Sequence, residues 1–305
     1  MSDDTLPTSP ALGHDDAPRW RVGLDLRPRS HGAARFAAWL HERDPSIHLD
    51  GVHLVDASLL ELPDSGARVQ LVDRARRAAE AALESLGVRE HYQHVHALVT
   101  TDVVRALAVS GGLSTVTGLI VGRRAGGEER ALVRLGRICR RLLRRAESPV
   151  FVVPPDLQPA HLGAGPIVCA VTPEPASLAA ARYAMQLGKA IDRPVVYIQA
   201  IALSVPMGLP YVPESAWVDL HEQHMGRSQE TLAQWCDKNG LEGEQKVISG
   251  PVVYELIATA RRLDGCMIVC GSRQLSTAER LWTASTGMGL AAGSHLPVAI
   301  VPPEE

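Results

Sequence analysis

The chain has 305 residues, 46% of them apolar, which is enough for two sizeable cores and excludes a wholly disordered polypeptide. A formal charge of -3, with no apolar run near the roughly 20 residues that cross a bilayer, gives no reason to expect nucleic acid or a membrane as partner. Charge is unevenly divided: residues 1–153 carry 21 Arg, no Lys and 19 acids, whereas residues 154–305 carry 10 basic residues and 15 acids. Five cysteines (Cys139, Cys169, Cys236, Cys266, Cys270) form no CxxC pair and are odd in number. Reduced, mostly buried thiols and a cytoplasmic location are expected from them.

The chain opens with MSDDTLPTSPALGHDD, acidic and proline-bearing, the reverse of the basic-then-apolar order of a secretory leader. Residues 1–18 are expected to form a mobile tail. Strand and helix patterns then alternate. A strand is predicted at Arg21–Leu26, a helix at Ala33–Arg43, a strand at Ile47–Val55 and a helix at Val69–Leu86. There follow a strand at His94–Thr100, a helix at Asp102–Ser110, a strand at Gly118–Gly122, a helix at Glu129–Ala146 and a strand at Pro149–Val153. The second half repeats the series, with strands at Ile167–Val171, Pro194–Ile201, Glu244–Ile248, Met267–Gly271 and Pro297–Val301. Its helices fall at Ser177–Ala190, Trp217–Asn239, Val252–Arg262 and Thr286–His295. Valine- and isoleucine-rich strands alternating with helices imply a parallel sheet covered on both faces.

The repeat is explicit in PVFVVPP (Pro149–Pro155) and PVAIVPP (Pro297–Pro303), which are 148 residues apart. Each follows a glycine-ended strand, at Gly122 and Gly271, and the first strands of the halves, RVGLD and VCAVT, are offset by 147. Spacing held this closely marks a tandem duplication. Domains are expected at 19–155 and 167–305, joined by a Pro- and Gly-rich linker at 156–166.

In an open parallel sheet, ligands sit beyond the carboxyl ends of strands where strand order reverses. The first half offers Asp25 there, after strand one, and GRRAGGEERALVRLGR (Gly122–Arg137) after strand four. Glycines let backbone N–H groups approach phosphate, and a carboxylate accepts hydrogen bonds from a ribose or base. The same features also suit ordinary turns, because glycine is common punctuation after strands.

Taken with the duplication, these residues make each half resemble a universal stress protein domain. That family starts with a strand ending V-D-x-S and closes with G-x2-G-x9-G-[ST], a helix and a P-V-hydrophobic-hydrophobic-V strand. The first half matches with VGLD at Val22–Asp25, with Gly122, Gly126 and Gly136, and with PVFVV. It departs by one extra residue between Gly122 and Gly126, and by Arg137 where Ser or Thr is usual. The second half keeps Gly271, Ser285 and PVAIV but has Thr172, Gln274 and Ala284 in place of the aspartate and two glycines.

The resemblance implies two doubly wound α/β domains in tandem, each a five-stranded parallel sheet of order 3-2-1-4-5 with helices on both faces. It also implies, for members that bind nucleotide, ATP (with Mg2+ as its companion) at the junction of strands one and four. Those roles would fall on Asp25, Leu54, Gly122, Arg123, Gly126, Gly136 and Arg137. In the second half Gly271, Ser272, Arg273, Ser285 and Thr286 would form a degenerate site. The apolar closing strands would be sheet edges, and such edges invite pairing. They are expected to pair or pack with each other as a pseudo-dimer within the chain, and a further homodimer is allowed.

Several strings are set aside. SGGLST (Ser110–Thr115) imitates a pyrophosphatase loop, but a strand restarts too soon after it. His91, His94 and His96 lack the spacing of a metal site, as do His221 and His224. The Arg-rich fourth helix, with no interleaved aromatic residue, reads as a solvated face rather than a nucleic-acid platform. The stretch 203–217 reads as a packed loop. The resemblance implies an adenine-nucleotide-responsive binding module, ahead of a non-binding scaffold. No Ser/His/Asp set, carboxylate pair or metal cluster converges on the switch point, so a weak ATP hydrolase is expected last.

Overall fold

The computed structural model describes residues 18–56, 65–108, 116–124, 135–202, 214–272 and 286–303. Its first unit runs β1 (Arg19–Leu24), α1 (His31–Arg43), β2 (His48–Asp56), α2 (Ser65–Ser85), β3 (Tyr92–Thr100), α3 (Val103–Ala108), β4 (Val116–Gly122), α4 (Gly136–Leu142) and β5 (Val150–Val153). The second runs β6 (Ile167–Ala170), α5 (Leu178–Ala190), β7 (Val195–Ile201), α6 (Glu214–Lys238), β8 (Glu244–Ser249), α7 (Val252–Arg262), β9 (Met267–Gly271), α8 (Thr286–Gly293) and β10 (Val298–Val301).

Most element ends shift by a few residues, and the expected helix Glu129–Ala146 is described only as Gly136–Leu142, since residues 125–134 lie outside the described residues. Strand β1 ends at Leu24 rather than Leu26, because Leu26 adopts a positive φ of 54° and turns the chain into a one-turn 3-10 helix at Pro28–Ser30. Helix α6 begins at Glu214, so residues 214–217 of the expected loop are helical; residues 203–213 and SGGLST (Ser110–Thr115) lie outside the described residues.

Both units have the expected strand order, and the parallel pairing runs through β3-β2-β1-β4-β5 and through β10-β9-β6-β7-β8. The two sheets are continuous. Strands β5 and β10 pair antiparallel, Val150 with Ile300, Phe151 with Ala299 and Val152 with Val298, to make one ten-stranded sheet. All eight residues of these two strands are buried. An apolar edge with unpaired N–H and C=O groups is unstable in water, and here each edge satisfies the other.

The core is fused in the same way. Helices α1 and α5 lie over one face through small residues, Ala33, Ala34, Ala37 and Ala38 in one and Ala179, Ala180, Ala181 and Ala184 in the other. Small side chains bring each helix close to the sheet. Phe151 fills the seam between them, its ring 5.3 Å from those of Trp20 and Phe36 and 6.4 Å from that of Tyr183 in the second unit. The other face is covered by α3, α4, α7 and α8, over Leu119, Val121, Val150 and Val152 in one unit and Val168, Ile268, Val298 and Ile300 in the other.

The connection between the units is docked rather than loose. The Gly165 N–H donates to Asp264 O and the Ala164 N–H to Asp264 Oδ2, both at 2.9 Å, and Arg193 donates to Ala164 O. A Cβ at Gly163 would collide with the Asp264 carbonyl, so only glycine permits this approach.

Truncation of Phe151 opens a cavity lined by both units. Phe151→Ala should therefore cost about 3–5 kcal/mol, with tryptophan fluorescence from both units shifting together in a denaturant titration. Separate transitions for the two halves of the wild-type chain would contradict the fused core.

Candidate functional site

Strand β1 pairs with β2 on one side and β4 on the other, so the connections leaving β1 and β4 diverge and open a crevice at their carboxyl ends. Asp25 is the first residue past β1. Its carboxylate accepts the Arg27 N–H at 2.9 Å through Oδ1 and pairs with Arg29 Nε through Oδ2. The two charged side chains are 33% and 40% exposed, so the pair contributes no more than about 1 kcal/mol.

The 3-10 turn that carries Arg29 crosses the end of β4. A Cβ on Gly122 would fall inside contact distance of the Arg29 carbonyl oxygen, which makes the glycine a packing requirement whether or not a ligand binds. The second unit repeats the crossing more loosely, with a Cβ on Gly271 3.2 Å from Ala176 O. Cys139 of α4 donates its thiol to Gly122 O at 3.4 Å. Burial pushes this thiol up to about 11, with the Arg29 charge acting in the opposite direction, so it is protonated and no nucleophile at neutral pH.

Gly136, with φ of 68°, opens α4 beneath the Arg124 stem, and Arg137 next to it is exposed. Leu54, on β2, is half-buried and packs against the core under α3 and α4. Its neighbour His53 contacts Leu24 O through Nδ1 at 2.7 Å, one residue before Asp25. The fold thus gathers Asp25, Gly122 and the first turn of α4 at one end of the sheet. Gly126 lies outside the described residues.

Arg123 departs from the expected phosphate role. Its guanidinium is buried and crosses the seam, donating to Ala292 O and, at 2.7 Å, to Ser294 O at the carboxyl end of α8. A cation there neutralises the unsatisfied carbonyls and the negative end of the helix dipole. At the equivalent position in the second unit, the Ser272 N–H donates to Val301 O at 2.7 Å.

Asp25 is replaced by Thr172 in the second unit, where Ser177 Oγ lies 3.0 Å from the Thr172 N–H and 3.1 Å from its hydroxyl. Thr286 is exposed at the first position of α8, while Arg273 and Ser285 lie outside the described residues. Sequence reasoning missed Arg29, His53 and Cys139. Only Arg29 carried a signal, its four-residue spacing from Asp25.

A second polar cluster lies on the α3/α4 face of the first unit. Buried Asp50 sits 3.8 Å from Arg19 Nη1 and 3.8 Å from His94 Nδ1, beside buried Arg21. The His94 and His96 rings stack at 5.8 Å. In the second unit the register places Val168 and Val196 where Arg21 and Asp50 stand. Among the described residues no three His, Cys, Asp or Glu side chains are placed to hold a metal ion, and in this cluster the arginines supply the positive charge. Burial lowers the His96 pKa, Asp50 opposes that shift, and His94, Arg21 and Arg19 add to it.

Comparison with known proteins fits this geometry. The two units share one doubly wound plan, and in the first a crevice opens where the connections leaving β1 and β4 diverge. Residues 164–302 match the universal stress protein family model. A universal stress protein of Methanocaldococcus jannaschii is 26% identical over 128 residues, which cover 41% of this chain and 74% of that protein. In fold, the chain is similar to a universal stress protein of Archaeoglobus fulgidus, at TM-score 0.62 and 14% identity, over 94% of this chain and 99% of the other. It is similar also to a functionally unknown protein of Pseudomonas aeruginosa, at TM-score 0.59 and 15% identity, over 94% and 93%. Residues 164–302, which make up the second unit, carry the universal stress protein pattern, and the first unit repeats the same topology.

Two outcomes follow from these contacts. Arg123→Ala should destabilise the chain by roughly 2–3 kcal/mol, since two buried helix carbonyls lose a charged donor; thermal unfolding measures it. His96 is held neutral in the fold, so below its ordinary pKa of 6.5 the unfolded chain binds the extra proton. Stability should fall as pH drops from 7.5 towards 5.5. His96→Asn should flatten that dependence only in part, because His295 is also depressed by burial.

Proposed function

We propose that the chain is a stress-responsive binding module whose first unit takes an adenine nucleotide, ATP, at the β1/β4 crevice. The observation that carries this reading is the position of Asp25, a partly exposed carboxylate at the switch point beside the Gly122 turn and the start of α4. It can accept hydrogen bonds from a ribose. The Arg29 pair does not close the site, because displacing a contact worth at most about 1 kcal/mol lowers affinity no more than about fivefold. Backbone near Leu54 would face the nucleoside, and Gly136 and Arg137, with Gly126, the phosphates. Mg2+ would arrive on the nucleotide's own phosphate oxygens. The second unit, which has Thr172 where the first has Asp25, is the weaker site.

A scaffold without nucleotide is favoured by two specific contacts: Asp25 is already satisfied by Arg27 and Arg29, and Gly122 is explained by packing. Five buried, unpaired thiols fit a reducing cytoplasm in either case. Domain limits at 19–155 and 167–305 suit the positions of β1, β5, β6 and β10.

Calorimetric titration with ATP, together with mass spectrometry of any ligand retained on purification, separates the readings. Asp25→Ala should weaken ATP binding roughly tenfold, about 1.4 kcal/mol, while Thr286→Ala should leave it within about twofold. Because Arg137 carries charge rather than a hydroxyl, affinity should fall as salt rises. A parent chain that neither retains nor binds adenine nucleotide at millimolar concentration selects the scaffold.

A further inference from the structure

Helix α4 of the first unit carries a stripe of five arginines on its outer face. Arg137, Arg140, Arg141, Arg144 and Arg145 recur at i, i+3, i+4, i+7 and i+8, the spacing of one helical stripe. The coil continues past Leu142, since Leu143 N–H donates to Cys139 O and Ala146 N–H to Leu142 O, each at 2.9 Å. The opposite face buries Leu135, Cys139, Leu142 and Leu143.

The protein's own α2 shows how it neutralises helical arginines elsewhere. There Arg76 bonds Glu80 at 2.9 Å and Asp73 at 3.0 Å, and Arg77 reaches Asp73 at 2.7 Å. On α4 none of the five forms an ion pair among the described residues; the one side-chain bond is from Arg140 Nε to Gly136 O at 3.3 Å. Arg105, exposed on neighbouring α3, adds a sixth charge. The nearby carboxylate of Asp102 accepts the Arg105 and Val104 N–H groups at 3.2 and 3.1 Å; the Arg141 and Arg145 charges also act on it and help to lower its pKa, without forming an ion pair among the described residues.

Like charges at i, i+3 and i+4 destabilise a helix by roughly 0.2–0.5 kcal/mol a pair. The stripe therefore weakens its own helix, and the corresponding α8 of the second unit carries no charged residue. The partner that suits it is short and anionic. The stripe spans only about 12 Å from Arg137 to Arg145. The chain as a whole is net negative, which disfavours a long polyanion. At the edge of the stripe Ile138 is 45% exposed, an apolar anchor with no use against phosphates and sugars, and no aromatic residue offers a stacking surface.

We propose that the arginine face of α4, with Arg105 and Ile138, is a docking surface for an acidic protein segment that carries an apolar residue among its carboxylates. Bidentate guanidinium–carboxylate pairs would supply affinity, and Ile138 would distinguish a peptide from a nucleic acid.

The test uses the full chain and two labelled probes, a helical peptide of about 16 residues with glutamates at i, i+3 and i+4 and one leucine, and a DNA duplex of similar charge. The peptide should bind at about 50 mM salt and weaken at least tenfold by about 300 mM. Arg141→Glu/Arg144→Glu should lose binding more than tenfold, and Arg141→Gln/Arg144→Gln by less. The melting temperature of the reversal should be unchanged or higher, because repulsion is relieved, which separates lost docking from lost folding. Ile138→Ser should weaken the peptide several-fold and leave the duplex unaffected. No peptide binding at low salt, equal binding by all variants, or tighter binding of the duplex than of the peptide would each overturn the proposal.

Discussion

The antiparallel pairing of β5 with β10 is the constraint on which the rest of the molecule depends. Each unit alone would end in a strand of four apolar residues with one side open, and each strand is the other's cover. The pairing brings α1 and α5 over a common seam, where Phe151 touches aromatic rings from both units. It also brings the end of β4 within reach of α8, so that Arg123 can cap a helix belonging to the other unit. A duplicated chain thus behaves as one body with a two-fold-like plan.

Within that plan the units have diverged in opposite senses. The second is the more apolar, with Val168 and Val196 on a face where the first has Arg21 and Asp50, and an uncharged α8 where the first has the arginine stripe. The first keeps the carboxylate at the switch point and carries the unbalanced positive surface. The two proposed recognition surfaces, the β1/β4 crevice and the arginine stripe, therefore both lie on the first unit. The other contributes the sheet edge and the helix terminus against which the first is held.

At the Gly122 turn, packing alone requires the residue type that a nucleotide-binding loop would also use. The 3-10 turn after β1 must cross the carboxyl end of β4 for Asp25 to reach the switch point, and only a glycine lets the Arg29 carbonyl pass. Glycine at this place follows from the fold itself. The chemistry of the site then rests on the side chains around it, above all the balance between Asp25 and Arg29.

The duplication and the positions of Asp25 and Gly122 were legible from sequence, because buried parallel strands are short apolar runs and a constant offset of 147–149 residues survives substitution, while the strand order came from the family resemblance those residues carry. The arginine stripe was legible too, as a period. Its lack of carboxylate partners was not, since pairing depends on which helices become neighbours. Tertiary structure alone decided that Arg123 turns away from the crevice to the other unit, that Arg29 occupies Asp25, and that Asp50 is buried between arginines and histidines. Each of these joins residues through space across a sheet or a seam, where sequence separation carries no information and only the registered backbone sets the distance.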